Sequence, residues 1–215
     1  DLHVVLFGSS KLVITGSQVN EDQIENLGNG TVSIDGEERA TLNEGSNVQS
    51  VPAVKSILMV VAPSGYREEE LEVPLKAFEN AGYQVKIASR GVESATGSAD
   101  GRVRVDVELA DALAEDYTAV VFVGGGGAEV LFNDADALRL ARDAVEKGKV
   151  IAAIRIDPSI LANADVLEGK RATSFSSDRE NLLSHEAQFV SEDVDTDGRI
   201  VTDQGPYQAQ GFCGG

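Results

Sequence analysis

The chain has 215 residues, enough for one α/β domain with a full core and an appendage. Hydrophobic residues make up 42%, an ordinary globular share, and no apolar run is long enough to span a bilayer. The net charge of −18 repels nucleic acid and anionic lipid, which disfavours both as partners. Solubility, adaptation to high salt and a calcium-rich exterior are three readings of such a surface. Scarce lysine and acids spread along the chain suit the high-salt, halophile reading. The single cysteine, Cys213, excludes an intrachain disulfide. It reads as an incidental thiol near the end of the chain, with an intermolecular disulfide as the functional alternative. The chain opens on Asp1 and its one methionine is Met59. A processed or trimmed amino terminus is expected, and a removed signal peptide would make the protein exported or cell-surface.

Residues 1–50 form a first zone of short β-like runs: His3–Phe7, Lys11–Thr15, Thr31–Ile34 and Glu38–Leu42. Asp35-Gly36 between alternating residues is a hairpin signal, and Gln23–Leu27 reads as one helical turn. Eight acids here face two bases, with too little apolar material for a robust separate core. The zone is expected to be a β-rich extension and linker, leaning on the main domain or on a neighbouring subunit.

Residues 51–215 alternate strand and helix. Ser56–Ala62 is an apolar run suited to a strand buried on both faces. Glu68–Ala81 is helical and closed by Gly82. Tyr83–Ala88 and Arg102–Val107 are β-like, and Leu109–Ala114 is helical. Thr118–Val123 is a central strand, Ala135–Glu146 an amphipathic helix, and Lys149–Ile154 a further strand. Ser159–Ala164 begins a helix; Arg171–Phe175, a helical Arg179–Leu183, Gln188–Val190 and Arg199–Thr202 follow. Such alternation predicts an α/β fold with a doubly wound, mainly parallel sheet and right-handed crossovers.

The stretch from Val150 through Ala164 reads as strand, sharp turn, helix. An elbow of this kind lifts one side chain into a pocket beside free backbone N–H groups. The residue at the turn is Arg155, which stays cationic and is no nucleophile. Asp157-Pro158 reads as an N-cap followed by proline at the first helical position. Asp165 is expected where the chain turns left-handed, and Glu186 is harder to accommodate at positive φ. Gly124–Gly127 either cradles an anion or makes a tight turn; no Lys-Ser/Thr follows, so it is no P-loop. His3 and His185 are isolated, no cluster has metal-ligand spacing, and no cofactor is expected. Residues 193–198 alternate acids and read as a solvated turn rather than a calcium loop. Glu68 and Glu69 read as an exposed helix start favoured by the macrodipole.

Four ordered segments carry a family resemblance: Tyr66–Pro74, Val121–Ala128, Val150–Thr173 and Asp197–Pro206. Residues from about Ser56 to Phe212 resemble the ThiJ/PfpI superfamily, the class I glutamine amidotransferase-like proteins of flavodoxin-like fold. The resemblance implies cysteine-dependent glyoxalase, deglycase or peptidase activity, a homodimer or larger homo-oligomer, and a cytoplasmic location. In that family a carboxylate four residues before the helical proline hydrogen-bonds the elbow cysteine, and Glu70 stands there. Gly125 and Gly126 match the turn that supplies oxyanion-hole N–H groups. The cysteine matches Arg155, and the histidine many members carry next matches Ile156. Asp157, Asp165 and Glu186 stand where small or glycine residues are usual. The family's closing helix beyond Gly205-Pro206 is expected to be absent or cut off, since the sequence stops at Gly215.

These departures imply a degenerate site. An ion pair of Arg155 with an ionised Glu70 is expected to fill the pocket. Three functions follow: a domain that has lost cysteine catalysis and serves binding or assembly; an enzyme with altered chemistry, using Ser64, Ser159 or Tyr66; or a sensor in which Arg155 and the glycine turn hold a small anionic ligand.

Overall fold

The computed structural model describes residues 55–205 and, before them, the backbone of five short strands. The chain divides into two compact units, Asp1–Ala53 and Val54–Gly215. In the first, β1 (Val4–Leu6) pairs in parallel with β3 (Ile24–Asn26). Strand β2 (Ser10–Ile14) pairs in parallel with β4 (Gly30–Ile34), which pairs antiparallel with β5 (Glu37–Leu42). Ile34 opposes Glu37, as a hairpin around Asp35-Gly36 requires. The helical turn expected over Gln23–Leu27 is instead strand β3 at Ile24–Asn26. A single turn leaves most of its backbone groups unpaired, whereas a neighbouring strand supplies partners.

The second unit contains β6 (Ser56–Val61), β7 (Ser64–Tyr66), α1 (Glu68–Asn80), β8 (Gln84–Ser89), β9 (Ser94–Gly97), β10 (Arg102–Arg104) and β11 (Val107–Glu108). It continues with β12 (Ala119–Val123), α2 (Ala135–Glu146), β13 (Val150–Ile154), α3 (Pro158–Asn163), β14 (Arg171–Ala172), α4 (Arg179–Ser184), β15 (Gln188–Phe189), β16 (Val194–Asp197) and β17 (Ile200–Asp203). Seven strands make one sheet in the order β11-β8-β6-β12-β13-β17-β16, all parallel except the β16–β17 pair.

The three middle strands are apolar because both faces are covered. Leu58, Val60, Val120, Phe122, Ile151 and Ala153 point one way, into a core shared with Leu140 and Ala144 of α2 and Ile160 and Leu161 of α3. Ile57, Met59, Val61, Val121, Val123 and Ile154 point the other way and meet Leu71, Leu75 and Phe78 of α1. The alternation is the period of a strand, read here with apolar residues at every position. Each helix ends with its last carbonyls bonded by a left-handed residue and its successor. That residue is Gly82 after α1 and Gly148 after α2, but Asp165 after α3 and Glu186 after α4.

Three sequence expectations are corrected. Leu109–Ala114 is not one helix but part of two 3-10 turns, Leu109–Asp111 and Ala114–Asp116. The segment buries Leu109, Ala112 and Ala114, and it is too short to sustain a helix. Residues 193–198 are not a solvated turn: β16 forms a hairpin with β17, with Gly198 at φ 65°. Their acids face bases, Asp195 pairing with Arg171 and Asp197 with Lys170. Glu68 is no freely solvated helix start, because loop 98–101 is built on its carboxylate.

Candidate functional site

Strand order reverses between β6 and β12, since β8 and β11 lie to one side of β6 and β12 and β13 to the other. Open α/β sheets place their ligands outside the carboxyl ends of the strands at such a switch point. Three segments meet there: the loop from β6 into α1, the glycine turn after β12, and the elbow after β13. They interlock through the backbone. Arg67 N–H donates to the Gly124 carbonyl at 2.9 Å, and Gly127 N–H donates to the Gly65 carbonyl at 3.1 Å.

Three of the turn's four glycines are there for lack of room. A Cβ on Gly124 would lie 2.5 Å from Glu70 Oε2 and 2.6 Å from the Ile154 carbonyl oxygen. One on Gly125, at φ 146°, would lie 2.3 Å from the Gly65 carbonyl oxygen, and one on Gly127 only 1.7 Å from that of Ser64. Gly126 differs, with nothing within 4 Å of its Cβ position. Among the described residues, neither Gly125 nor Gly126 gives its N–H to a backbone carbonyl outside the regular elements.

The elbow holds Arg155 at φ 64°, the left-handed region that non-glycine residues rarely adopt. Backbone bonds on both sides fix it there. Its N–H donates to the Asp203 carbonyl at 2.8 Å, and its carbonyl accepts Phe175 N–H at 2.7 Å. The guanidinium lies over the Phe175 ring, 4.9 Å from the centroid, within cation–π range. Its Nε stands 3.9 Å from Glu70 Oε1, and Arg67 Nε stands 3.8 Å from the same atom. Both separations exceed a hydrogen bond.

Glu70 is completely buried, and among the described residues neither of its oxygens has a hydrogen-bond partner. Burial raises its carboxyl to about 7, against the pull of Arg155 and Arg67 and with the push of Asp203 and Glu69. The expected Arg155–Glu70 pair is present at 3.9 Å without a hydrogen bond, but the fully ionised Glu70 expected of it is not favoured, since burial raises the carboxyl to about 7. Desolvation of a carboxylate without donors outweighs two cations held beyond bonding distance.

Asp157 stands at the N-cap position of α3, but its side chain does not cap the helix. Its backbone is already α-helical, and its carbonyl, not its carboxylate, accepts Ile160 N–H at 2.8 Å. The side chain turns inward, fully buried, with both oxygens unpartnered among the described residues. Burial first, then Glu70 and Asp178, pushes its carboxyl well above the usual carboxylate range, with Arg155 opposing. Asp203, at the end of β17, is a third buried carboxyl that the sequence did not single out. Its Oδ1 accepts Gly205 N–H at 2.6 Å, Oδ2 has no described partner, and burial raises the group to about 6. Its position at the carboxyl end of the strand beside β13 was the one available signal.

The remaining candidates lie apart from reactive geometry. Ile156 is buried and packs at the turn. Ser159 is buried and its hydroxyl donates to Asp178 Oδ1 at 2.7 Å; Tyr66 is buried, and Ser64 is exposed. His185 ends α4 with Nδ1 3.0 Å from the Asn181 carbonyl oxygen. No group of three or more metal-binding side chains occurs among the described residues, and no described helix is long and apolar enough to cross a membrane. His3 and Cys213 lie outside the described residues.

Residues 55–214 match the model of the DJ-1/PfpI family. An uncharacterized protein of Methanocaldococcus jannaschii is 34% identical over 159 residues, spanning 73% of this chain and 78% of its own. A deglycase of Thermococcus kodakarensis is 28% identical over 149 residues, spanning 69% and 90%. Among solved structures, a ThiJ/PfpI domain protein from Brachyspira murdochii superposes with a TM-score of 0.72 at 33% identity, covering 74% of this chain and 92% of that one.

Proposed function

The chain belongs to the DJ-1/PfpI family, and within it we propose that this member works without a cysteine nucleophile, as a binding or assembly domain. The observation that carries the reading is Arg155 at the left-handed elbow, over a buried Glu70 and beside the glycine turn. In this reading Arg155 stands where relatives have their thiol. A guanidinium there cannot attack a carbonyl, but it can hold an anion or brace an interface. Self-association as a homodimer or larger homo-oligomer is part of the proposal.

The test is turnover of an α-oxoaldehyde such as methylglyoxal by the purified chain and by Arg155→Cys. Silence from the unmodified chain is the expected result. Turnover by the unmodified chain, abolished by substituting Glu70 but not Cys213, would instead establish a deglycase-type enzyme with altered chemistry. That second reading is favoured by one feature, the raised Glu70 and Asp203 carboxyls, since acids poised near neutrality suit general acid–base work. Ser159 is a poor nucleophile for it, because its hydroxyl is committed to Asp178.

A further inference from the structure

We propose that the Arg155 pocket binds a small monocarboxylate and that Glu70 takes up a proton as the anion arrives. The inference deepens the binding reading above and rests on it. Arginine presents five N–H donors in a planar fork that fits a carboxylate in its own plane. Among the described residues, none of Arg155's side-chain donors makes a hydrogen bond, and its approach to Glu70 stops at 3.9 Å. The guanidinium lies over the Phe175 ring, 4.9 Å from its centroid, and cation–π attraction holds it there. The side chain is 20% exposed, so a small ligand can reach it.

The second observation is Glu70 itself, an unpartnered acid sealed beneath that cation. A negative ligand on Arg155 takes away the attraction that keeps Glu70 ionised. Burial disfavours the charge of Glu70 most, Asp203 and Glu69 add to that, and Arg155 and Arg67 oppose it; the buried Asp157, its own carboxyl raised well above the usual range, contributes no charge near neutrality. Once Arg155 is neutralised, burial prevails and Glu70 binds a proton. The same surroundings set the charge of the ligand. One guanidinium offsets one negative charge, so a dianion would leave a second charge without a partner beside poorly solvated carboxyls.

Calorimetric titration of the full chain with sodium acetate tests this, at pH 6 and pH 8, at constant ionic strength, in two buffers of different ionisation heat. Binding that weakens by about tenfold from pH 6 to pH 8, with uptake of part of a proton per acetate at pH 8, is expected from a linked group titrating near 7. Glu70→Gln should flatten the pH dependence while keeping binding, and Arg155→Gln should abolish binding. Arg155→Lys, which keeps the charge without the fork, should bind more weakly than the unmodified chain and stands in if Arg155→Gln does not fold. No acetate binding, undiminished binding in either Arg155 variant, unchanged pH dependence in Glu70→Gln, or sulfate binding as tightly as acetate would each overturn the proposal. Methylglyoxal turnover by the unmodified chain counts against the binding reading; inertness in both assays counts against this inference alone.

Discussion

Glu70 and Arg155 face each other at 3.9 Å without a hydrogen bond, one fully buried and the other held at positive φ. An acid and a base this close usually stabilise each other. Here the acid has lost its water and gained no donor, so the pair is poised rather than locked.

The pH dependence of stability follows. Glu70 moves from 4.5 in the unfolded chain to about 7 in the folded one. Between those values the folded chain keeps a proton that the unfolded chain has released. Stability therefore falls as pH rises through this window, and the full penalty applies above pH 7. Glu70→Gln, neutral at all pH, should be no more stable than the parent near pH 4.5 and more stable by up to ~3 kcal/mol at pH 8. Urea denaturation of both chains at the two pH values measures the difference. A gap that does not change with pH would show that Glu70 is not the titrating group.

Glu68 has the opposite sign. Despite some desolvation, donation from Ala99 N–H, Gly101 N–H and the Ser98 hydroxyl holds its carboxyl below the ordinary value. Its contribution is present above pH 4.5 and lost as pH falls through the lower folded value. Glu68→Ala removes the acceptor and should speed hydrogen exchange in residues 97–101 while leaving the central sheet protected. Gly97→Ala should do the same, since the new Cβ would fall 2.1 Å from Glu68 Oε1. Equal protection of loop 97–101 in parent and variants would show that the carboxylate does not organise it.

The seven-stranded sheet was legible because β6, β12 and β13 are apolar on both faces, a pattern few other environments support. The elbow was legible for a similar reason: strand, turn and proline-led helix follow within a few residues. The acid cluster was not. Glu70, Asp157 and Asp203 come from three distant elements, and only the sheet order brings them together. Asp157-Pro158 has the local signature of a cap, but the turn leaves its backbone helical and its side chain inside. Strand β16 hid behind alternating acids, whose partners, Lys170 and Arg171, precede it by more than twenty residues.

Asp165 and Glu186 offer a stability gain. Both occupy the left-handed position after a helix, at φ 60° and 59°, where α1 and α2 use Gly82 and Gly148. A side chain there costs on the order of 1 kcal/mol, partly offset by the extra freedom glycine has when unfolded. Glu186→Gly and Asp165→Gly should each stabilise by a few tenths to ~1 kcal/mol, more for Glu186, since Asp tolerates the conformation better. The two sites end different helices, so the double variant should be near-additive in thermal denaturation. A destabilised Glu186→Gly would mean that the glutamate side chain contributes more than its backbone costs.

The glycine turn has packed positions and one open position, and two adjacent substitutions test the distinction. Gly127→Ala puts a methyl group 1.7 Å from the Ser64 carbonyl oxygen, and the obstacle is backbone already bonded into the interlocked loops. The loop must move, and a loss of at least ~2 kcal/mol or failure to fold is expected, in the upper range of point substitutions. Gly126→Ala meets nothing within 4 Å, and its φ is not in the left-handed region, so stability should change by less than ~0.5 kcal/mol. Thermal denaturation of the two variants measures the contrast. If Gly126→Ala melts as early as Gly127→Ala, the turn is packed at both positions and the distinction fails.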